Sequence, residues 1–366
     1  MKNILLIVPD SLKRPFGGMG VLVNGLLPYI KEKYNVKLIT NDHSEHSIQT
    51  GLFSGKSDGI INALLRQTEY TAELFMSGFK PDIIHCFDWS TAWTGIILAE
   101  HFKCKLLYHV QLKLRESLVL KPEGYQELCI RNIEDIELTM LNKCDLILQV
   151  SKAYADLYPK IFKYKTLFLH NGINLEEWKE RKSFELPGNR PIKGVYIGRY
   201  AYMKNVDTLI NSNIPDNIDL IFAGSEEGGD KYLFEYIRGK IKEKDNLHYV
   251  GPVYGDRKVG LIQNADFVIM PSRHEPFGIV ALEAMAAKTL LLCSMQDGLK
   301  EFVSEDFAIN CGITVDSISE SLQKVSNMTK EEMINMTNNA YKQAEELTWE
   351  KQAKKLLKIY HFLINN

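Results

Sequence analysis

Two carboxylates eight residues apart, Glu275 and Glu283, are the most informative chemical feature of the sequence. The apolar run 265–270 before them has the composition of a short buried strand, and Pro271 ends it. Glu275 is therefore expected on a strand-to-helix loop, with Glu283 about two turns further on, near the same face. Free N–H groups at such a helix start bind anions, and carboxylates can hold sugar hydroxyls. The pattern predicts a ligand in which a phosphate is joined to a polyhydroxy group, such as a nucleotide-sugar.

A pair of cations, Arg199 and Lys204, follows the apolar run 193–197. A guanidinium can bond two phosphate oxygens at once, and an ammonium adds a point charge. Most Arg and Lys side chains are simply solvated, but a place just past a strand end favours phosphate binding. The glycine loop with Gly17 and Gly18 precedes a helical pattern, and it could approach a phosphate or serve only as a turn.

Polar residues also follow strands in the first half of the chain. Asp88 and Ser90 lie in an aromatic turn after the run 83–86, where they could cap the next helix or line a ligand site. His109 and Gln111 end another apolar run, and a single histidine there is more often structural than catalytic. No Asp-x-Asp pair stands at a strand end, so we predict no metal dependence.

Composition limits the class of protein. A chain of 366 residues suits two domains, and a formal net charge of −2 gives no reason to expect nucleic acid as a partner. The six cysteines contain no Cys-x-x-Cys pair, which favours reduced thiols in a cytoplasmic protein. The start of the chain is typical of a first strand rather than of a signal peptide. No run reaches the roughly 18 apolar residues of a membrane span, and peripheral membrane contact stays open.

Short apolar runs alternate with longer helical patterns, which predicts parallel sheets covered by helices on both faces. The runs fall into two series, so we expect an α/β fold of two doubly wound, Rossmann-like domains facing across a cleft. We assign residues 1–170 and 171–346 to these domains and 347–366 to a C-terminal helix. The predicted strands are 4–8, 36–40, 83–86, 106–110, 146–150 and 166–169, followed by 193–197, 220–223, 248–250, 267–270 and 290–293.

Together these motifs resemble the retaining GT-B glycosyltransferases of family 4 and the related glycogen and starch synthases, over nearly the whole chain. The stretch from Glu275 to Glu283, with Pro-Phe-Gly inside it, is the most specific part. The resemblance implies metal-independent transfer of a sugar, by default glucose from UDP-glucose, with no cofactor beyond this co-substrate. The implied acceptor is a glycan, a lipid-linked precursor or a protein.

The resemblance also implies roles for individual residues. Arg199 and Lys204 would bind the donor diphosphate, Glu275 would lie near the transferred sugar, and Glu283 would hold the ribose hydroxyls. The last helix would cross back onto the first domain. The remaining donor contacts would be the backbone of Phe277, Gly278 and Ile279 with sugar or phosphate, Gly17 and Gly18 with the diphosphate, and Val250 and Val253 with the base.

The chain departs from these relatives on the acceptor side. They carry a His where Gln111 stands, with His109 two residues early, and glycogen synthases often have a His in place of Ser90. Asp88, Ser90, His109 and Gln111 are therefore acceptor-side candidates. Two alternatives stay open: a nucleotide-sugar epimerase on a similar fold, and a non-catalytic sugar-nucleotide binder, which Gln111 keeps in play. The placement of Arg199 and Lys204 before the Glu pair favours the transferase.

Overall fold

The computed structural model of the protein describes residues 1–13, 18–40, 59–113, 115, 124–225 and 230–366. The chain divides into two compact units. Asn171–Thr348 makes up the second unit, and the described residues before it join Trp349–Asn366 in the first. The sequence predicts divisions at 170/171 and 346/347.

The first unit contains a parallel sheet in the order β2-β1-β3-β4-β5-β6. Its strands are β1 (Asn3–Ile7), β2 (Asn35–Ile39), β3 (Ile83–Phe87), β4 (Lys105–Val110), β5 (Leu146–Gln149) and β6 (Thr166–Phe168). Its helices are α1 (Gly18–Lys33), α2 (Gly59–Ser77), α3 (Ala92–Phe102), α4 (Gly124–Lys143), α5 (Lys152–Ala155) and the last helix of the chain, Trp349–Asn365. Since the strands are apolar on both faces of the sheet, helices must cover both of these faces.

One face of this sheet packs against α2, α3 and α4, and the other packs against α1 and the last helix. Helix α1 and the last helix approach closely at Gly25, where an added Cβ would lie 2.2 Å from the ring of Trp349. A glycine at this position lets the two helices cover the sheet side by side. The C-terminal segment is thus part of the first unit's core.

The second unit contains a parallel sheet in the order β12-β11-β10-β7-β8-β9. Its strands are β7 (Ile192–Ile197), β8 (Ile218–Ala223), β9 (Leu247–Gly251), β10 (Phe267–Met270), β11 (Leu290–Cys293) and β12 (Ile309–Asn310). Its helices are α6 (Val206–Asn211), α7 (Lys231–Lys242), α8 (Gly255–Asn264), α9 (Ile279–Ala286), α10 (Val315–Ser326) and α11 (Lys330–Glu345), and the last helix is therefore α12. The predicted α/β class with two doubly wound parallel sheets is confirmed, and β12 is a strand that the sequence did not predict.

The strand orders place a switch point in each sheet. In the second unit the chain moves from β7 outward to β8 and β9, and then returns to place β10 on the other side of β7. In the first unit the corresponding point lies between β1 and β3. Loops diverge at such points and leave a crevice at the carboxyl ends of the strands, where ligands bind.

Candidate active site

Two loops meet at the switch point of the second unit, one after β7 and one after β10. The first carries Arg199 and the short 3-10 turn Tyr202–Lys204, and the second carries Glu275. Lys204 Nζ donates to Glu275 Oε2 at 2.6 Å, with the side chains 19% and 7% exposed. Arg199 is half-buried, and its carbonyl accepts a 2.9 Å bond from the hydroxyl of Tyr196. Lys204 and Glu275, which sequence reasoning placed in one site from 71 residues apart, are in direct contact.

Besides Lys204, other residues form hydrogen bonds with Glu275 and hold it in place. Ser272 Oγ donates to Glu275 Oε2 at 3.1 Å, and the Glu275 N–H donates to Asp297 Oδ2 at 3.0 Å. The Gly298 N–H donates to the Glu275 carbonyl, also at 3.0 Å. The carboxylate and its backbone are therefore fixed before a ligand arrives. Sequence reasoning missed Ser272 and Asp297, because the contact of Asp297 depends on how the loop after β11 folds back.

A clamp joins the two loops beside this pair. The guanidinium of Arg273 donates to both carboxylate oxygens of Asp207, at 2.9 and 2.8 Å, and to the carbonyl of Tyr202 at 2.8 Å. It also lies 4.0 Å over the ring of Tyr202. A bidentate, stacked arginine holds both partners in one orientation. The clamp thereby positions the backbone on either side of Lys204.

Helix α9 begins at Ile279, four residues after Glu275. Gly278 precedes it with φ 102°, a conformation that residues with a Cβ rarely adopt, and an added Cβ would lie 2.5 Å from Leu299. The Phe277 side chain is buried and stacks on Phe302 with ring centres 4.7 Å apart. At Phe277 and Gly278 the backbone is therefore the part that can meet a ligand, and a helix start directs N–H groups outward there.

Glu283 lies inside α9 and is 3% exposed. Lys258 Nζ of α8 donates to its Oε1 at 2.5 Å, while Oε2 is buried without a hydrogen-bond partner among the described residues. Lys258 therefore already serves one oxygen of the carboxylate that the resemblance assigns to the ribose hydroxyls, and that assignment stays a prediction. The second oxygen stays available. Sequence reasoning missed Lys258, which no local pattern connects to Glu283.

Val250 lies within β9, and Val253 follows the end of that strand. Val253 is 6% exposed and packs in a small cluster with Val195 and Ile221, and Val250 packs against the same cluster. The Val253 side chain therefore belongs to the core, and its main chain is left for a contact with a base. Val250 is half-buried.

At the switch point of the first unit, Gly18 opens α1, and Gly17 lies outside the described residues. Asp10, which follows β1 and is 2% exposed, accepts the Gly20 N–H at 2.9 Å. A carboxylate at a helix N-terminus is stabilised by the same dipole that attracts phosphate. Asp10 therefore competes with the diphosphate role predicted for Gly18, and no local pattern in the sequence indicated this contact.

Asp88 has an unusual backbone at the end of β3, with φ 55°. Its Oδ1 accepts the N–H groups of Gln111 at 2.6 Å and Leu112 at 3.3 Å, so the side chain does not cap the following helix. Burial raises the pKa of the Asp88 carboxyl to about 7. Ser90 is buried in the 3-10 turn Trp89–Thr91. Asp88 thus fixes the chain that carries Gln111.

A hydrogen-bonded relay runs through the first unit from α12 to Gln111. The Tyr360 hydroxyl lies 2.7 Å from His85 Nδ1, His85 Nε2 lies 3.3 Å from His109 Nδ1, and His109 Nε2 lies 2.9 Å from Gln111 Nε2. An amide Nε2 can only donate, which makes Nδ1 the protonated nitrogen of both rings. Burial lowers the pKa of both histidines, that of His109 to about 3, so the rings are neutral.

This relay corrects the role predicted for His109. The side chain is fully buried, so His109 cannot touch an acceptor itself and reaches the strand end only through Gln111. Gln111 is half-buried at the carboxyl end of β4. Of the four acceptor-side candidates, Gln111 is the side chain that this network orients.

Within the described ranges, no group of three or more His, Cys, Asp and Glu side chains is arranged to hold a metal ion. In the same part of the chain, no helix is both long and apolar enough to cross a membrane. This arrangement of side chains does not test the predicted metal independence, which stays a prediction from the sequence.

Residues 176–343 match the family model described as glycosyl transferases group 1. A glycosyltransferase of Methanocaldococcus jannaschii, itself described as uncharacterized, is 33% identical over 306 residues, which cover 77% of this chain and 75% of that protein. A glycogen synthase of Mycobacterium tuberculosis is 27% identical over 236 residues, covering 62% of this chain and 55% of that protein. The match with the glycogen synthase thus spans little more than half of that protein's length.

Solved structures share the fold. Sucrose-phosphate synthase from Thermosynechococcus elongatus has a TM-score of 0.83 at 18% identity, with 100% of both chains covered. Anabaena HepE in complex with UDP-glucose has a TM-score of 0.72 at 15% identity, covering 99% of this chain and 100% of that one. The catalytic domain of starch synthase IV from Arabidopsis thaliana, bound to ADP and acarbose, has a TM-score of 0.72 at 13% identity, covering 100% and 99%.

Proposed function

We propose that this chain, which belongs to the group 1 glycosyltransferase family, catalyses a retaining, metal-independent hexosyl transfer to an acceptor hydroxyl. Members of this family are GT-B enzymes that take a sugar from a nucleotide-sugar. The observation that carries the proposal is the grouping of Lys204, Glu275 and the start of α9 at one switch point. Cation, carboxylate and backbone N–H groups together suit a diphosphate joined to a sugar.

In this proposal Arg199 and Lys204 supply the positive charge that a metal would otherwise provide. When the bond between sugar and diphosphate breaks, negative charge grows on the departing diphosphate, and preorganised cations stabilise it. Lys204 donates to Glu275, so a diphosphate bound at this loop competes for the same N–H groups. Glu275, released in part, is then placed to accept from a sugar hydroxyl.

The nucleotide contacts follow the same logic. Glu283 Oε2 accepts a hydrogen bond from a ribose hydroxyl, which gives a partner to a buried oxygen that has none in the described part of the chain. The backbone of Phe277, Gly278 and Ile279 holds sugar hydroxyls or phosphate, and the main chain near Val250 and Val253 faces the base. Gly18 is the weakest part of the predicted donor site, because Asp10 already accepts an N–H at that helix start.

We propose glucose and uridine as the default donor groups. The structure of Anabaena HepE contains UDP-glucose, which supports this choice, whereas that of starch synthase IV contains ADP, which keeps adenine as the alternative base. The acceptor is a glycan, a lipid-linked precursor or a protein, and Asp88, Ser90 and Gln111 form the acceptor side. We also propose that the protein is located in the cytoplasm.

The first test is calorimetric titration of the full chain with UDP, ADP and GDP in the presence of a chelator. Tight binding of one nucleotide without metal supports the donor site and names the base. Turnover of the matching glucose donor, followed by proton NMR of the new anomeric centre, then tests retention. Binding that requires a divalent cation would overturn metal independence, and an inverted product would overturn the retaining mechanism.

A further inference from the structure

A short segment of the first unit exposes apolar side chains beside lysines. Ile161 is 72% exposed, Tyr164 82% and Leu167 40%, and Lys160 and Lys163 between them are also exposed. We call these five residues the lysine-apolar patch. Single exposed apolar residues are normal on a protein surface, but a continuous group with a charged border usually marks an interaction site.

The arrangement follows from the 3-10 geometry of Lys160–Lys165. A 3-10 helix has three residues per turn, so residues three apart align in rows along it. The row of Phe162 and Lys165 faces inward, with exposures of 6% and 7%. The next row holds Lys160 and Lys163, and the third holds Ile161 and Tyr164. A basic row and an apolar row therefore lie side by side on the outside.

This segment is anchored to the body of the first unit. Lys165 Nζ donates to the carbonyl of Cys144 at 2.8 Å and to that of Asn142 at 3.3 Å. The chain then enters β6, which pairs with β5 and lies at the edge of the sheet among the described strands. Proteins commonly protect an edge strand by covering it or charging it. Here the chain carries exposed Leu167 and 38% exposed Phe168 at that edge.

The charge of the patch decides between its possible occupants. A second copy of the chain seated face to face would bring the basic rows together and repel. An anionic lipid surface is complementary to both rows, because lysines pair with headgroups while apolar side chains enter the headgroup-acyl boundary. Lys163 is paired with the exposed carboxylate of Asp156 at 3.1 Å, so the two charges offset each other and Lys160 supplies the net positive charge of the basic row. We propose that the lysine-apolar patch binds the surface of an anionic membrane.

Vesicle co-sedimentation of the full chain tests this, using phosphatidylcholine vesicles with and without phosphatidylglycerol. The wild-type chain is expected to bind the phosphatidylglycerol vesicles at least tenfold more tightly. The double variant I161S/Y164S removes the apolar row, and K160Q/K163Q removes the basic row. Each is expected to weaken that binding about tenfold or more, since each removes two contacts with the membrane.

Two matched controls keep the test specific. K355Q/K358Q removes two exposed lysines from α12, and I334S removes a 58% exposed apolar side chain from α11. Both are expected to bind vesicles like the wild type. No binding by the wild type, equal binding to both vesicle types, or an equal loss in the controls would each overturn the proposal. Light scattering that shows a dimer broken by the patch variants would assign the surface to a second copy instead.

UDP titration of the same samples separates this proposal from the proposed function. Unchanged UDP affinity in the patch variants shows that they are folded and that the lost step is vesicle binding. Vesicle binding without UDP binding in the wild type would count against the proposed donor site and leave the membrane surface standing.

Discussion

Glu283 is a buried residue of the candidate donor site that has one unpaired carboxylate oxygen among the described residues. One carboxylate oxygen is paired with Lys258, and the other is buried without a partner among the described residues. A buried acceptor left unsatisfied costs about 1–3 kcal/mol, a cost that a bound hydroxyl would remove.

Replacing Glu283 by alanine is expected to weaken UDP binding about tenfold to a hundredfold, since a ribose hydroxyl loses a charged acceptor worth ~1.5–3 kcal/mol. Calorimetric titration measures this directly. Glu320→Ala, which removes an exposed carboxylate from α10 of the same unit, is the control and should bind UDP like the wild type. Unchanged affinity in Glu283→Ala would remove this residue from the donor site.

Arg199→Ala is expected to lower kcat about a hundredfold to a thousandfold with a smaller change in KM. The reason is that its guanidinium would act mainly on charge that develops as the diphosphate leaves. Steady-state kinetics with the donor identified by titration provide the measurement. Arg181→Ala, which removes an arginine bonded to Asn264, serves as the matched control. A rise in KM at constant kcat would assign Arg199 to ground-state binding alone.

At the scale of elements, the relay from Tyr360 to Gln111 links α12 with β3 and β4. His85 on β3 and His109 on β4 are fully buried, and each ring uses both nitrogens in the relay. A buried N–H or lone pair without a partner is costly, so each member holds its neighbour in one tautomer. The C-terminal helix thereby affects an acceptor-side residue that it does not touch.

Tyr360→Phe is expected to lower the free energy of unfolding by about 1–3 kcal/mol, because His85 Nδ1–H loses its acceptor in a dry core. Urea denaturation measures this loss. The matched control is Tyr34→Phe, which removes a hydroxyl from the ring packed edge-on against Tyr360 at 5.7 Å and should cost less than about 0.5 kcal/mol. UDP affinity is expected to be unchanged, since the relay lies in the first unit. Equal losses in the two variants would deny the relay a stabilising role.

The elements also show how far the sequence could predict the structure. Strands such as β7 and β10 are continuous apolar runs with turn residues at their ends, so their type and place follow from local pattern. The contacts of Asp297 with the Glu275 N–H and of Lys258 with Glu283 join residues 22 and 25 positions apart. No local period encodes such contacts. The two-residue β12 is too short for any pattern to reveal.

At the scale of the whole molecule, buried carboxyls in the two units link stability to pH in opposite directions. In the second unit Asp219 is fully buried, and it accepts from Lys193 at 2.7 Å and from His248 at 2.8 Å. Burial alone would raise the pKa of Asp219, but these hydrogen bonds outweigh it and lower the pKa to about 2. Its stabilising contribution is therefore present above the ordinary value of 3.8 and is lost as pH falls through about 2.

In the first unit Glu137 of α4 is buried between the hydroxyls of Tyr158 and Tyr108, at 2.8 and 3.2 Å. Burial raises the pKa of its carboxyl to about 7, from an ordinary value of 4.5, despite the two hydroxyl bonds. A carboxyl with a raised folded-state pKa favours folding most when protonated. Its contribution is complete below the unfolded-state pKa and is lost as pH rises through about 7, and Asp88 acts in the same direction.

Glu137→Gln is therefore expected to flatten the dependence of stability on pH between 5 and 8. In the wild type the free energy of unfolding falls by on the order of 3 kcal/mol across this range, because the unfolded chain ionises at Glu137 while the folded chain keeps this carboxyl protonated up to about pH 7. A neutral amide does not titrate. Urea denaturation at pH 5, 6, 7 and 8 supplies the slopes. Asp135→Asn, an exposed position on the same helix, is the control and should keep the wild-type slope. Parallel curves for Glu137→Gln and the wild type would mean that Glu137 does not carry the pH dependence. The loss would then belong to Asp88 or to charges spread over the surface.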